Sequence, residues 1–166
     1  METLFECRYT PSEERMKETC AYAAAHTPHT WFAEGVWLVI VGFLAFYAVQ
    51  EPLYWGPVVL LEAFWIWTTV RRHRRFVKQS VESRRGIADG DGYFPLKATE
   101  TSVRYWAGTC WCEIDYSRLR CAKNLRRTVL VISKGGIILD FPKDSFTKGT
   151  PEEFLALLRQ KGVRVK

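Results

Sequence analysis

Residues 31–75, WFAEGVWLVIVGFLAFYAVQEPLYWGPVVLLEAFWIWTTVRRHRR, constrain this chain more than any other stretch, because so long an apolar run has few places to go. Residues 35–50 carry no charge, and extended back to Trp31 they make about 30 Å of helix, enough to cross a bilayer. Residues 52–70 carry a single charge, Glu62. The Glu51-Pro52 and Gly56-Pro57 steps favour a break between two helices. Five of the seven Trp residues lie here, and Trp31, Trp55 and Trp67 fall near the segment ends, where amphipathic rings settle at the headgroup level. The pattern predicts a transmembrane helical hairpin. A buried hairpin of a soluble domain is the alternative, since sixteen uncharged residues make a short span and Glu34, Glu51 and Glu62 are unwelcome in lipid.

Arg71, Arg72, His73, Arg74 and Arg75 follow Val70 directly. Translocating several arginines is costlier than leaving them on the side of synthesis, so this flank predicts a multi-pass cell-membrane protein with both termini cytoplasmic. Charge is divided unevenly along the chain. Residues 1–34 hold three Lys/Arg against six Asp/Glu, whereas residues 71–166 hold twenty-one against ten. A basic region beside a membrane meets anionic headgroups, each basic residue near the surface contributing about 1 kcal/mol. The membrane-surface candidates are Arg71, Arg72, Arg74, Arg75, Lys78, Arg84 and Arg85, with topology retention sufficient by itself to explain them. Nucleic acid is disfavoured as a partner, because no recognition helix, RNP-type aromatic motif or zinc-finger spacing accompanies the charge.

The five cysteines form an odd set without a CxxC pair, which argues for a reducing compartment. Cys110 and Cys112 share a strand face and suit packing better than zinc or redox chemistry. His26 and His29 lack a second pair of ligands nearby in sequence, and no cofactor is expected. No GxSxG, HExxH, P-loop or GxGxxG occurs, and Asp115, Asp140 and Asp144 read as strand-end and turn residues, so the expectation is not an enzyme. Glu62 is the intramembrane acidic candidate, as an oligomerisation contact or part of an ion path; a neutralised, hydrogen-bonded Glu is the duller account.

In chain order, residues 4–9 alternate as a short strand. Thr10-Pro11-Ser12-Glu13 then predicts a helix with Thr10 as N-cap, running to about Ala25 and ended by Thr27-Pro28. Residues 76–85 keep a helical pattern, and IADGDG over residues 87–92 breaks it. From Tyr93 the period becomes two: strands are expected over residues 94–98, 102–106, 109–114, 119–122, 127–132 and 137–141. Thr150-Pro151-Glu152-Glu153 caps a closing helix with Phe154, Leu155, Leu157 and Leu158 on its apolar face. The expected fold class is α+β, divided into an N-terminal strand and helix (1–30), the hairpin (31–75), a helical stalk (76–92) and an antiparallel β domain plugged by its last helix (93–166).

The order of capped helix, two spans, basic stalk and β-rich tail resembles the YcxB-like bacterial membrane proteins. The tail carries the resemblance in WCEIDYSRL at 111–119, in DFPKDSF at 140–146, and in PEEF at 151–154 leading to Leu157-Leu158. Phe141, Pro142, Lys143 and Phe146 are its signature residues. The resemblance covers nearly the whole chain and implies a cytoplasmic domain similar to pleckstrin-homology folds, about seven strands with a C-terminal helix. It implies no activity. A binding or regulatory module follows as the leading functional expectation, with a protein partner taken by the β domain through an open sheet edge or its loops, and homo-oligomerisation as a further possibility.

Overall fold

The computed structural model describes residues 2–166 except Thr27, Pro52 and Tyr54, and describes Pro28, His29 and Thr30 by their backbone alone. The Thr27-Pro28 helix break, the start of the second apolar segment at Pro52 and the His29 side chain therefore lie outside the described residues. The chain is α+β, with strand β1 (Thr3–Tyr9), helices α1 (Glu13–Ala25), α2 (Pro28–Gln50) and α3 (Trp55–Gly86), strands β2 (Phe94–Thr99), β3 (Ser102–Trp106), β4 (Trp111–Asp115), β5 (Leu119–Asn124), β6 (Thr128–Ser133), β7 (Ile138–Pro142) and β8 (Phe146–Lys148), and helix α4 (Pro151–Gln160). It divides into two units, one of residues 1–19 and 79–166 and one of residues 20–78. The boundaries fall inside α1 and inside α3.

The first unit holds two antiparallel sheets, one in the order β4-β3-β2-β1-β8 and one in the order β5-β6-β7. Seven strands stand from residue 93 onward where six were expected, and the strand expected over residues 4–9 brings the total to eight. Strand β1 is not set apart with the residues that follow it, as the sequence division at 1–30 expects. It lies inside the larger sheet, paired with β2 from Thr3↔Thr99 to Tyr9↔Phe94 and with β8 at Cys7↔Phe146. The reason is apolar alternation: Phe5, Cys7 and Tyr9 are buried while Glu6 and Arg8 point the other way, a half-buried strand that needs partners on both edges.

Both sheets turn their apolar faces onto one core that includes Leu96, Val103, Ile114, Val129, Val131 and Phe141. Helix α4 is stitched into it by Phe154, whose ring lies 4.6 Å from Phe141, 5.6 Å from Phe5 and 5.9 Å from Phe146. The capping box forms as expected, with the Thr150 hydroxyl accepting from the Glu153 amide and the Glu153 carboxylate accepting from the Thr150 amide. Just before it, Gly149 adopts φ +75°, and a Cβ there would stand 2.3 Å from the Phe5 ring, so only glycine lets the helix start so close to β1. The free edge of β5 is covered by the chain end, through a parallel bridge from Ala122 to Val165.

Helix α1 begins at Glu13, with the Met16 amide donating to the Ser12 carbonyl at 3.0 Å, so Ser12 stands at the cap in place of Thr10. Its Met16 and Cys20 are buried. In the second unit, α2 is 23 residues long and α3 is 32. The two pack through Trp37 and Trp65, whose rings stack at 4.5 Å and 8°. No break occurs at Gly56-Pro57, because Pro57 lies in the first turn of α3, where its missing N–H is not needed. Helix α3 also runs without interruption through the basic cluster into the residues expected as a stalk.

Among the described residues, one helix is long and apolar enough to cross a membrane, over Trp31–Gln50, with only 6 % of that window buried. The apolar-to-basic junction at Arg71 follows the first sixteen residues of α3, about 24 Å at 1.5 Å per residue, which leaves its apolar half short of that criterion.

Candidate functional site

The outer face of the five-stranded sheet gathers polar and aromatic side chains that the alternation of its strands throws away from the core. Register aligns Glu6 with Lys97, Lys97 with Arg104 and Arg104 with Glu113, a row of charges crossing β1, β2, β3 and β4. Opposite charges pair along it, Lys97 with Glu6 at 3.6 Å and Arg104 with Glu113 at 2.8 Å. The Ser102 hydroxyl also donates to Glu113, and with Arg104 it holds that carboxyl below its usual range.

A second row lies beside the first. Arg8 faces Pro95 across β1 and β2, and Trp106 faces Trp111 across β3 and β4 with ring centroids 5.7 Å apart. Between the rows is a hollow of about 260 Å³ lined by Glu6, Arg8, Asp89, Lys97, Trp106 and Trp111 together with Pro95. The Lys97 ammonium sits 5.0 Å from the Trp111 ring centroid, and Arg8 lies 5.4 Å from that of Tyr93. Trp111 and Tyr93 are 41 % and 42 % exposed. The Trp106 Nε1–H is buried with no acceptor among the described residues, an unmade hydrogen bond on the wall of the hollow.

One wall of the hollow is Asp89, which belongs to the breaker expected over residues 87–92. Asp89 Oδ1 accepts from the amides of Asp91 at 3.2 Å and Tyr93 at 2.7 Å, which folds the two Asp-Gly steps into a turn. Burial works against ionisation of Asp89, yet the Tyr93 amide and the Arg8 guanidinium hold its carboxyl below the ordinary value. Asp89 in turn pairs with Arg8 at 3.0 Å, and this hydrogen bond raises the pKa of Arg8.

Each cation of the hollow is thus matched by a carboxylate of the same surface. The arrangement is close to electroneutral, which disfavours a phosphate cluster, and its volume suits one side chain more than a cofactor, for which 300–1,000 Å³ is typical. The hollow presents aromatic rings, a proline, an indole N–H without an acceptor among the described residues, and flanking ion pairs. Among the described residues, no three His, Cys, Asp or Glu side chains are grouped to hold a metal ion.

The sequence-expected residues are scattered. Arg71, Arg72, Arg74, Arg75 and Lys78 are exposed on α3, with Arg71 over the Trp67 ring at 5.1 Å. Arg85 is exposed too, although its Nε donates to the Pro11 carbonyl at 3.2 Å. Arg84 departs from the surface group to which the sequence assigns it. Its guanidinium donates to Asp140 Oδ1 and to the Tyr9 hydroxyl, and Tyr9 donates to the same carboxylate oxygen at 2.9 Å. Asp140, expected as a strand-end residue, is 1 % exposed, and its Oδ2 has no partner among the described residues. A charge so buried requires a partner, and among the described residues Arg84, in the last turn of α3, is the cation that reaches it, beside the Tyr9 hydroxyl.

Glu62 is half-buried on α3, in the same helical unit as Arg71, Arg72, Arg74, Arg75 and Lys78. The signature residues are structural: Phe141 is in the core, the Pro142 carbonyl accepts from the Cys7 thiol at 3.8 Å, the Lys143 amide donates to the Arg127 carbonyl at 2.9 Å, and Phe146 packs on Phe141 and Phe154. They make the corner between β7 and β8. Sequence reasoning missed the outer face itself. Its signal was present in the polar alternates Glu6 and Arg8 and the polar alternate Lys97, but their meeting depends on a pairing across more than eighty residues. No protein-family model and no curated protein matches this chain.

Proposed function

We propose that the chain is a membrane-anchored binding module: two helices hold it in the bilayer, and the β unit takes a segment of a protein partner on the outer face of its larger sheet at the cytoplasmic surface. The anchor is supported by the apolar and exposed Trp31–Gln50, by the apolar first half of α3 and by the exposed arginines at 71, 72, 74 and 75, which favour a return to the cytoplasmic side. A multi-pass topology with both termini cytoplasmic follows from that reading.

The sheet order supports a pleckstrin-homology-like domain. Strands β4-β3-β2-β1 and β5-β6-β7 are two meanders, and α4 follows them. On this reading residues 10–93 are an insertion between the first and second strands, and the resemblance to YcxB-like proteins suggests such a module without supplying an activity.

The observation that carries the binding role is the Trp106–Trp111 pair with its unpaired indole N–H beside a hollow whose charges are already neutralised. Such a surface gains from burying aromatic area and from one acceptor offered to the indole, and it repels neither sign of partner. A photocrosslinking residue placed at Trp111 of the full-length protein in its native membranes tests it. Discrete polypeptide adducts at 111 are expected, absent when the probe is at Arg120 on the other sheet and lost on adding Trp106→Ala. Equal labelling at both positions, or none at 111, overturns the assignment.

A further inference from the structure

The helical unit contains a second cavity that the binding role leaves unused. It has a volume of about 540 Å³, and its lining includes Trp31 and Glu34 of α2 with Trp65, Arg72, His73 and Phe76 of α3. The remaining wall includes Ala24, Ala25 and Ala33, residues too small to fill the space between helices that meet at the Trp37–Trp65 stack. Trp31 is held at the rim, its Nε1 donating to the Ala25 carbonyl at 2.7 Å.

The lining is of two kinds. Trp31, Trp65, Phe76 and the alanines offer apolar surface, which suits a hydrocarbon chain. Glu34 and Arg72 offer one charge of each sign, and neither makes an ion pair among the described residues, although they line the same cavity. A ligand matching both must bring an anion for the guanidinium, a hydrogen-bond-donating cation for the carboxylate, and an apolar tail. A phosphate pairs bidentately with arginine, and a primary ammonium supplies three N–H donors to a carboxylate. An acidic headgroup would satisfy Arg72 while standing beside the like charge of Glu34. A quaternary ammonium would have no N–H to give it.

We infer that this cavity holds one molecule of an ethanolamine-type zwitterionic phospholipid, its phosphate on Arg72 with His73 beside it and its ammonium on Glu34. The inference rests on the reading of α2 and α3 as membrane helices. It assigns to the cavity a lipid different from the anionic headgroups that would gather nonspecifically around the exposed Arg71, Arg74 and Arg75.

The test is native mass spectrometry of the full-length protein released from nanodiscs containing equal amounts of phosphatidylethanolamine, phosphatidylglycerol and phosphatidylcholine. One retained phosphatidylethanolamine is expected, in about tenfold excess over either competitor, the size of one charged hydrogen bond. Glu34→Gln should abolish the preference over phosphatidylglycerol, Glu34→Asp should restore it, and Arg72→Gln should lower every adduct about tenfold. Phosphatidylglycerol retained as well as phosphatidylethanolamine, a preference that survives Glu34→Gln, or no discrete adduct overturns the inference. Helical circular dichroism identifies any variant that has lost its fold, for which the wild-type selectivity decides. Alkaline carbonate extraction separates the two readings: release from the membrane defeats the anchor, whereas retention without a bound lipid defeats the cavity alone.

Discussion

Phe43 and Phe46 of α2 are 63 % and 64 % exposed, whereas Phe94, Phe141 and Phe154 of the β unit are at most 3 % exposed. The residue type is the same and the surroundings differ, because two facing sheets and a plugging helix provide one another with apolar surface and α2 finds little of its own. The arginines repeat the contrast on a single helix, with Arg74 in the open and Arg84 locked to Asp140. Composition sets how much apolar surface must be hidden. Whether the chain hides it or leaves it for a surrounding apolar solvent is a property of the partners that each element meets.

The largest expected effects probe that contrast directly. Phe154→Ala should destabilise the β unit by about 3–5 kcal/mol, seen as a lowered denaturation midpoint, while Phe43→Ala should leave it unchanged. Equal effects would mean that α2 contributes to the same core. Arg84→Met should also cost about 3–5 kcal/mol by leaving Asp140 buried without its cation, against no measurable change for Arg74→Met; the double variant Arg84→Met with Asp140→Leu should recover most of the loss. Failure of that recovery would shift the weight to the Tyr9 hydroxyl.

In α2 the sensitivity should be inverted, towards added charge. Ile40→Arg near the middle of the span should disfavour insertion by about 2.5–3.5 kcal/mol, measured as a reduced membrane-integrated fraction, without lowering the midpoint of the β unit. Insertion as efficient as that of the wild type would remove the membrane reading of α2. A smaller effect is expected at Gly149, where Gly149→Ala forces both a positive φ and a clash with Phe5, at about 1–3 kcal/mol.

The smallest effect is absent at neutral pH. Burial pushes the Cys7 thiol from 9.0 up to about 12 and the Tyr116 hydroxyl from 10.0 up to about 12, and it raises Tyr9 as well. The folded β unit therefore keeps protons that the unfolded chain releases, so its stability is full below pH 9 and falls as pH rises from about 9 towards 12. Denaturation midpoints that stay flat from pH 8 to 11 would show that these groups are open to solvent. Cys110, exposed in the turn after β3, should be alkylated at pH 8 under conditions that leave Cys7 intact.

Much of this architecture is legible in the residues because it depends on near neighbours. The Thr150–Glu153 capping box, the hairpin between β6 and β7 and the turn made by IADGDG are decided by side chains a few positions from the backbone they satisfy. The helix start differs from the expected one because Thr10 and Ser12 offer equivalent hydroxyls, and the path of the chain leaving β1 selects between them. Helix α3 carries its basic residues within the helix, so the change from apolar to basic at Arg71 is not a helix boundary.

By itself the sequence determined that residues 31–50 form an apolar helix, that a basic cluster follows the second apolar segment and that the chain ends in strands plugged by a capped helix, since hydropathy, charge and period are local quantities. Only the tertiary structure decided that β1 enters the sheet beside β2, that Arg84 leaves the surface cluster for Asp140, and that Glu6, Arg8, Lys97, Trp106 and Trp111 share one face. The second of these joins the last turn of α3 to β7, and the first and third need residues on either side of α2 and α3 to meet. Burial of Phe5, Cys7 and Tyr9 against β2 is what brings them together, a cross-chain pairing that no local pattern encodes.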